Sequence, residues 1–167
     1  MHELIKSPLF LPEFSKIAIF SGKIAGGIWY TKGYLKKNNS NVDIEIPVFG
    51  PIFSSLEFEG RGIGSKLITE TLKLVKNAGY PGVIIYGNPS FYNKFGFKSC
   101  DNFNITTPSG ENFDAFMGVE FEENSLKKLG GGKFYEIDIE EKLSPQQIDS
   151  FDKAFPPLQK FTRPGQF

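Results

Sequence analysis

From position 50 the chain reads Gly50-Pro51-Ile52-Phe53-Ser54-Ser55-Leu56-Glu57-Phe58-Glu59-Gly60-Arg61-Gly62-Ile63-Gly64, and no other stretch restricts the fold as much. An apolar run gives way to a polar loop with glycine at alternate positions. From Ile63 the period becomes helical, with Ile63, Leu67, Thr71, Val75 and Ala78 close to one face and Lys66, Glu70, Lys73 and Lys76 mainly off it. The pattern predicts a strand, a glycine loop and a helix start. Glycines let a backbone curl tightly and approach a ligand without β-carbons in the way. The first helical turn adds amide N–H groups that lack an intrahelical acceptor, together with the positive end of the helix dipole. Such a loop suits an anion, above all a phosphate.

The spacing excludes one common phosphate loop and weakens the case for another. In the nucleoside-triphosphate motif a lysine directly follows the last glycine, whereas here Gly64 is followed by Ser65 and only then Lys66. The dinucleotide fingerprint places its third glycine one residue later and ends the next strand in an acid, whereas Val83-Ile84-Ile85-Tyr86 runs into Gly87-Asn88. Glu59 to Gly64 instead resembles the acyl-CoA loop of the GCN5-related N-acetyltransferases, Arg/Gln-x-x-Gly-x-Gly/Ala, at every fixed position except the first, Glu59. The resemblance continues through Gly87-Asn88-Pro89-Ser90-Phe91-Tyr92-Asn93-Lys94-Phe95-Gly96-Phe97, whose Tyr-x-x-x-Gly-Phe ending is similar to the second half of that family's cofactor site. Phe155-Pro156-Pro157 and Pro164-Gly165-Gln166 also look like one bacterial branch of it, so the resemblance covers roughly residues 3 to 167.

Composition sets the frame around these motifs. A chain of 167 residues suits one domain, expected over 1–167. Nineteen basic and nineteen acidic residues cancel, which removes the overall electrostatic case for nucleic acid or an anionic membrane. The lone Cys100 cannot form an internal disulfide. No apolar run reaches the ~20 residues of a membrane span, and Met1-His2-Glu3-Leu4 lacks a signal-peptide pattern. A cytoplasmic protein is expected. His2 is the only histidine, so a histidine-based triad or metal site has no material.

In chain order, Leu4-Ile5-Lys6 reads as one helical turn and Lys16 to Tyr34 as a hairpin, with Gly26-Gly27 marking a bulge or a close backbone approach. Lys36 to Asn41 is a polar turn, and Val42 to Ser55 a strand bent at Pro47 and Gly50-Pro51. The helix from Ile63 stops at Gly79, and Val83 to Tyr86 is a short buried parallel strand. A short helix is expected over Asn88 to Phe95, and a hairpin from Asn102–Thr107 and Phe113–Phe121. A brief helix over Asn124 to Leu129, a last strand over Phe134 to Ile139, and a capped helix over Ser144 to Ala154 with Ile148 and Phe151 inward complete the prediction.

The fold class is therefore α/β (α+β), and the resemblance implies a mixed sheet with a splayed parallel strand pair. It also implies that the chain enters after the family's first strand and first helix, leaving a sheet edge that favours pairing with a second copy. Its activity would be transfer of the acetyl group of acetyl-CoA, without a metal, to a primary amine by direct transfer. The alternative is a catalytically weak acyl-CoA-binding or interaction module of the same fold.

The resemblance also carries roles. The backbone of Phe53, Ser54 and Ser55 would pair with the pantetheine arm. The amides of Gly60, Arg61, Gly62, Ile63 and Gly64, with Ser65, would take the pyrophosphate, and Arg61 and Lys66 would add charge. Glu59 lies beside that site as a carboxylate that repels phosphate unless it points to solvent or pairs with Arg61. Tyr92 is either the general acid for the leaving thiolate or a packed aromatic. Asn88 either bonds the pantetheine or makes an Asx turn. Glu45, and less so Asp43, is the candidate base, against the plain reading of a solvated strand carboxylate. Cys100 is read as a buried, inert thiol.

Overall fold

The structure is a computed structural model that describes residues 3–37, 42–136 and 144–155. His2, residues 38–41 of the polar turn, Ile137 to Ile139 of the last expected strand, and the Pro156-Pro157 and Pro164-Gly165-Gln166 pieces lie outside the described residues. Two compact units are present, Met1–Ile137 and Asp138–Phe167.

In the first unit, a 3₁₀ turn at Leu4–Lys6 leads to β1 (Lys16–Phe20), β2 (Lys23–Lys36) and β3 (Ile44–Ser54), then α1 (Ile63–Asn77) and β4 (Gly82–Tyr86). After these come α2 (Pro89–Tyr92), β5 (Lys98–Ser99), β6 (Ile105–Thr106), β7 (Phe116–Glu120) and β8 (Gly132–Tyr135). One sheet runs β5-β7-β4-β3-β2-β8-β6, with β1 also on β2. Among the described residues its only parallel pairs are β3 with β4 and β6 with β8. The long β2 is the spine. One edge holds β3, while the other is shared by β1 at Lys23 to Ile28, by the Phe10–Thr31 bridge, and by β8 at Tyr34 to Lys36. No strand lies beyond β1 among the described residues, and Ile17 and Ile19 on it are 56% and 71% exposed.

Strand alternation divides the core between the two faces of the sheet. On one face Ile28, Tyr30, Phe49, Val83 and Ile85 meet Leu67, Ile68 and Val75 of α1, together with Leu11 and Phe14. On the other, Ile46, Val48, Ile84, Phe116 and Phe134 pack with Cys100, Phe103, Ile105 and Leu126. Ile68 and Val75 are fully buried, which contributes about 1.5–3 kcal/mol each. The buried polar member of the α1 stripe, Thr71, donates to the Leu67 carbonyl at 2.7 Å and lies 2.9 Å from the Tyr30 hydroxyl, so its oxygen is satisfied from both sides. α1 ends at Gly79 in the left-handed region (φ +86°), with Pro81 beyond.

Three expectations change. Asn102–Thr107 and Phe113–Phe121 do not form a hairpin. β6 runs parallel to β8 while β7 lies between β4 and β5, and Cys100–Phe103 is a 3₁₀ turn. In these places Ile105, Phe116 and Met117 are buried, and alternation alone does not name a strand's partner. The helix expected over Asn88 to Phe95 is α only to Tyr92 and 3₁₀ from Asn93 to Phe95, and the turn at Lys127–Leu129 is likewise 3₁₀. In the second unit, α3 (Pro145–Asp152) has the expected cap, Ser144 Oγ accepting from the Gln147 amide, but Ile148 and Phe151 are 47% and 44% exposed rather than inward.

Candidate active site

β3 and β4 touch in register at a single place, Val48 opposite Ile84. Beyond it β4 ends at Tyr86, while β3 continues to Ser54 bonded only to β2. Prolines at 47 and 51 withhold two ladder donors, and the register against β2 shifts between Ile28 and Tyr30. A V-shaped opening results at the carboxyl ends of the parallel pair. The Ser55 amide donates to the Ala25 carbonyl at 2.9 Å. By the alternation of an antiparallel ladder, the backbone groups of Phe53 and Ser55 then turn to β2, and those of Ser54 turn to the open edge. Of the three residues expected to offer backbone groups here, Ser54 alone is free to do so; Phe53 and Ser55 are committed to the sheet.

The loop that follows is anchored by Phe58, which is buried and has its ring centroid 5.3 Å from that of Phe20. Its Leu56–Phe58 turn is closed by the Glu59 amide on the Leu56 carbonyl, and the Arg61 amide bonds the Phe58 carbonyl. Gly60 and Gly62 have φ of +76° and +73°, where a side chain costs about 1–2 kcal/mol. Gly62 is the N-cap of α1 without a side-chain cap, and the first helical bond is from Lys66 N to Gly62 O. The amides of Gly62, Ile63, Gly64 and Ser65 therefore precede the hydrogen-bonded part of the helix. Gly64 differs from its neighbours because its φ is ordinary and a β-carbon there would meet nothing within 4 Å. Neither backbone conformation nor packing asks for glycine at that position. The Arg61 guanidinium rests 5.2 Å from the Phe20 ring centroid, and Glu59 is exposed with no ion pair to Arg61 among the described residues. Nearby, Lys23 pairs with Glu57 at 2.6 Å.

Across the opening stands Tyr92. Its ring lies so close over Gly87 that a β-carbon there would be 2.3 Å away, and it packs on Phe49, Phe91 and Phe97 at 6.0, 5.0 and 5.7 Å between centroids. Burial pushes its phenol above the ordinary tyrosine range, so the group is a protonated donor at neutral pH. The two readings of Tyr92 are compatible: the ring is packed and the hydroxyl is available. Asn88 makes the Asx turn, with Oδ1 accepting from Ser90 N at 3.0 Å and from Ser90 Oγ at 2.6 Å as it caps α2.

Glu45 is not in this opening. Its carboxylate pairs with Lys32 Nζ at 2.8 Å and accepts from the Tyr80 hydroxyl at 2.5 Å. Tyr80 follows the C-terminus of α1, about 22 Å along the helix from the glycine loop. Burial by itself would raise the Glu45 carboxyl, but the bonds from Lys32 and Tyr80 outweigh it and hold the group below the usual range. A carboxylate so stabilised and so placed ties the sheet to the far end of α1. Asp43, two residues further along the chain from the opening, lies 3.5 Å from Lys36 Nζ. The Cys100 thiol is fully buried and pushed up by that burial, as expected of an inert thiol.

A split parallel pair with a glycine loop on one side and a tyrosine on the other is an arrangement that can be compared with known proteins. In three dimensions the chain is similar to the crystal structure of a GNAT family N-acetyltransferase, YhbS, from Escherichia coli in complex with CoA. The TM-score is 0.69 at 20% identity, covering 81% of this chain and 72% of that one. The fold is that of the GCN5-related N-acetyltransferases. A GNAT family acetyltransferase from Brucella melitensis in complex with acetyl-CoA shares this N-acetyltransferase fold, with a TM-score of 0.55 at 23% identity over 74% of this chain and 65% of that one. In sequence, the chain is 27% identical over 89 residues to the uncharacterized N-acetyltransferase YjhQ of Escherichia coli (strain K12), which is 53% of this chain and 48% of that protein. The chain spans about half the length of this curated relative. No family model matches the sequence.

Two parts of the site escape sequence reasoning. Gly87 is required by the Tyr92 ring, which no local pattern signals. On the sheet face away from α1, Trp29 stacks on Phe53 beside the free end of β3, and Tyr86 at the end of β4 lies against Phe113; each reads in sequence as an ordinary strand aromatic. Of the two expectations for Gly26-Gly27, the close approach is found there, while the bulge falls one residue earlier, at Ala25. A β-carbon on Gly26 would be 2.7 Å from the Phe53 carbonyl and one on Gly27 2.3 Å from the Trp29 ring, and the β1–β2 register slips between Ala18 and Ile19, opposite this stretch. Among the described residues, no cluster of His, Cys, Asp and Glu could hold a metal ion, and no helix is long and apolar enough to cross a membrane.

Proposed function

We propose that the protein is an N-acetyltransferase that carries the acetyl group of acetyl-CoA to a primary amine by direct transfer within a ternary complex. The observation that carries this is Gly64, a helix glycine with ordinary φ and empty space where its β-carbon would be, set among four amides that precede the first helical bond. A glycine that neither backbone nor packing requires is explained by a ligand that comes up to the main chain. The residues fit the cofactor. The amides of Gly62 to Ser65 would hold its pyrophosphate, Arg61 would leave Phe20 to add charge, and the free edge of Ser54 would bond the pantetheine amides.

Acetyl-CoA, when bound, supplies the activated acyl group; the protein supplies position and a proton. Tyr92, whose phenol burial holds protonated, would donate its proton from Oη to the departing sulfur, and the proton that the nitrogen sheds on becoming an amide would return to the phenolate through solvent. Fixing both reactants in the opening is the larger contribution, since effective molarities lower barriers by up to about 7–11 kcal/mol.

Calorimetric titration with acetyl-CoA tests the reading. Wild type is expected to bind saturably and Gly62→Glu not to bind, with both correctly folded by circular dichroism. Tyr92→Phe, which keeps the ring contacts, is expected to lower kcat for thiol release about 100-fold with the acetyl-CoA dissociation constant unchanged. Absence of binding in folded wild-type protein would overturn the proposal.

A further inference from the structure

The glycine loop does not stand alone. It is seated on the tip of the β1–β2 hairpin, a two-residue turn in which Ser21 and Gly22 have φ of 49° and 76° and Phe20 pairs with Lys23. Both of these paired residues reach the loop. Phe20 packs its ring on Phe58 at 5.3 Å, and Lys23 Nζ meets Glu57 Oε1 at 2.6 Å. A third contact comes from between the glycines, where the Arg61 guanidinium lies 5.2 Å from the centroid of the same Phe20 ring. One ring therefore serves two partners, one on each side of Gly60 in the chain.

The two partners are held differently. Phe58 is 6% exposed, so burial fixes it, and its carbonyl accepts from the Arg61 amide at 3.3 Å. Seating Phe58 seats the start of the loop. Arg61 is exposed, and among the described residues its guanidinium has no hydrogen bond or ion pair, so the ring face is what holds it. Ring and guanidinium both line a cavity of about 490 Å³ between β1 and α1, with Lys16 and Lys66 as its other cations. Glu70 is the one carboxylate on that lining, and it already pairs with Lys73 at 3.0 Å. The surplus of positive charge beside the loop favours an anion there, and the anion and the ring then compete for one guanidinium. A charge-assisted bond to phosphate is the stronger of the two. The ring gives way, but its hold lowers the binding constant by the strength of one exposed cation–π contact, about two- to fivefold.

Resting on the acetyltransferase reading above, we infer that Phe20 is a positioning residue that sets acetyl-CoA affinity through Arg61. It holds the guanidinium on the hairpin tip in the free protein and releases it when the pyrophosphate enters, while the same ring keeps Phe58 and the loop in place. The apolar bulk at position 20 supports binding, and its π face opposes it.

A thermodynamic cycle separates the two. Acetyl-CoA is titrated calorimetrically into wild type, Phe20→Leu, Phe20→Trp, Arg61→Gln and the two double variants, each checked for folding by circular dichroism. Leucine keeps apolar bulk against Phe58 without a ring face, so Phe20→Leu should bind about two- to fivefold more tightly than wild type. Tryptophan presents a stronger face, so Phe20→Trp should bind about twofold or more weakly. Arg61→Gln should weaken binding at least about threefold, and in that background either change at position 20 should leave the dissociation constant within about 1.5-fold. A merely structural role would lower affinity in both Phe20 variants whether or not Arg61 is present. Equal or weaker binding by Phe20→Leu, a gain that persists in Arg61→Gln, or wild-type affinity in Arg61→Gln alone would overturn the assignment. Where Phe20→Leu does not fold, Phe20→Trp decides, and unchanged binding is then the adverse result. If wild type binds no acetyl-CoA, the acetyltransferase reading falls and this inference with it; if wild type binds and the effects at positions 20 and 61 are additive, only the role of Phe20 falls.

Discussion

Replacing Gly64 with alanine separates what the fold needs from what the ligand needs. Gly64 is the second residue of α1, has an ordinary helical φ, and offers a β-carbon open space. Alanine reduces the conformational freedom of the unfolded chain and suits a helix better, so Gly64→Ala should stabilise the protein by about 0.5–1 kcal/mol. For a domain of this size that is a rise of roughly 1–4 °C in Tm. The added methyl, however, stands in front of the amides expected to take the pyrophosphate. Loss of close approach to even part of that contact should raise the acetyl-CoA dissociation constant at least tenfold, about 1.4 kcal/mol. Thermal denaturation and calorimetric titration on the same preparation measure both. The neighbouring Gly62→Ala is the contrast, because φ is +73° there and alanine must cost about 1–2 kcal/mol. Opposite signs in Tm with the same sign in affinity are expected. A stabilised Gly64→Ala that binds acetyl-CoA as tightly as wild type would refute the idea that the empty space belongs to the ligand.

Further expectations follow from other contacts. Glu59→Gln removes an exposed carboxylate beside the loop that no ion pair neutralises among the described residues, and should tighten acetyl-CoA binding by roughly threefold at low salt and less at high salt; an unchanged dissociation constant would mean that Glu59 does not sense the phosphates. Glu45→Gln should leave kcat within about twofold but cost about 1 kcal/mol of stability at neutral pH. Because the folded carboxyl lies below its ordinary value of 4.5, that stability is present above 4.5 and lost as pH falls through the lower folded value, so denaturation followed between pH 5 and 3 should slope less in the variant. Tyr30 is raised far above its ordinary value of 10.0, chiefly by burial. Its contribution is complete below pH 10 and lost as pH rises towards the folded value, so alkaline unfolding should begin above about pH 10. Tyr30→Phe should flatten that fall while costing about 1–2 kcal/mol at neutral pH, since Thr71 then loses a buried donor.

The glycine loop and α1 were legible in the sequence because their requirements are local. A left-handed φ, a helix period and a capping glycine are each written within a few residues. The same holds for the cap at Asn88 and for the bend at Gly50-Pro51. What failed depends on distance along the chain. Asn102–Thr107 and Phe113–Phe121 have the pattern of paired strands, but alternation does not name the partner, and they pair with β8 and β4 instead. Glu45 was assigned to the site by its strand, whereas its place on that strand, nine residues before Ser54, puts it at the opposite end of α1. The register shift opposite Gly50-Pro51 decides which backbone groups face the opening, which is why Ser54 is free while Phe53 and Ser55 are committed.

The way in which the loop is proposed to hold an anion also bears on how such a protein changes over generations. Its donors are peptide amides, present whatever the side chain, so substitution at Glu59, Arg61, Ile63 or Ser65 alters charge and shape around the phosphates without deleting the contact itself. Two glycines are held in place by dihedral angle and, under the proposed function, a third by the room the ligand needs. Selection on cofactor binding therefore touches very few codons here, and the surrounding chain is free to diverge until descent can be traced in the path of the backbone more readily than in the order of the residues.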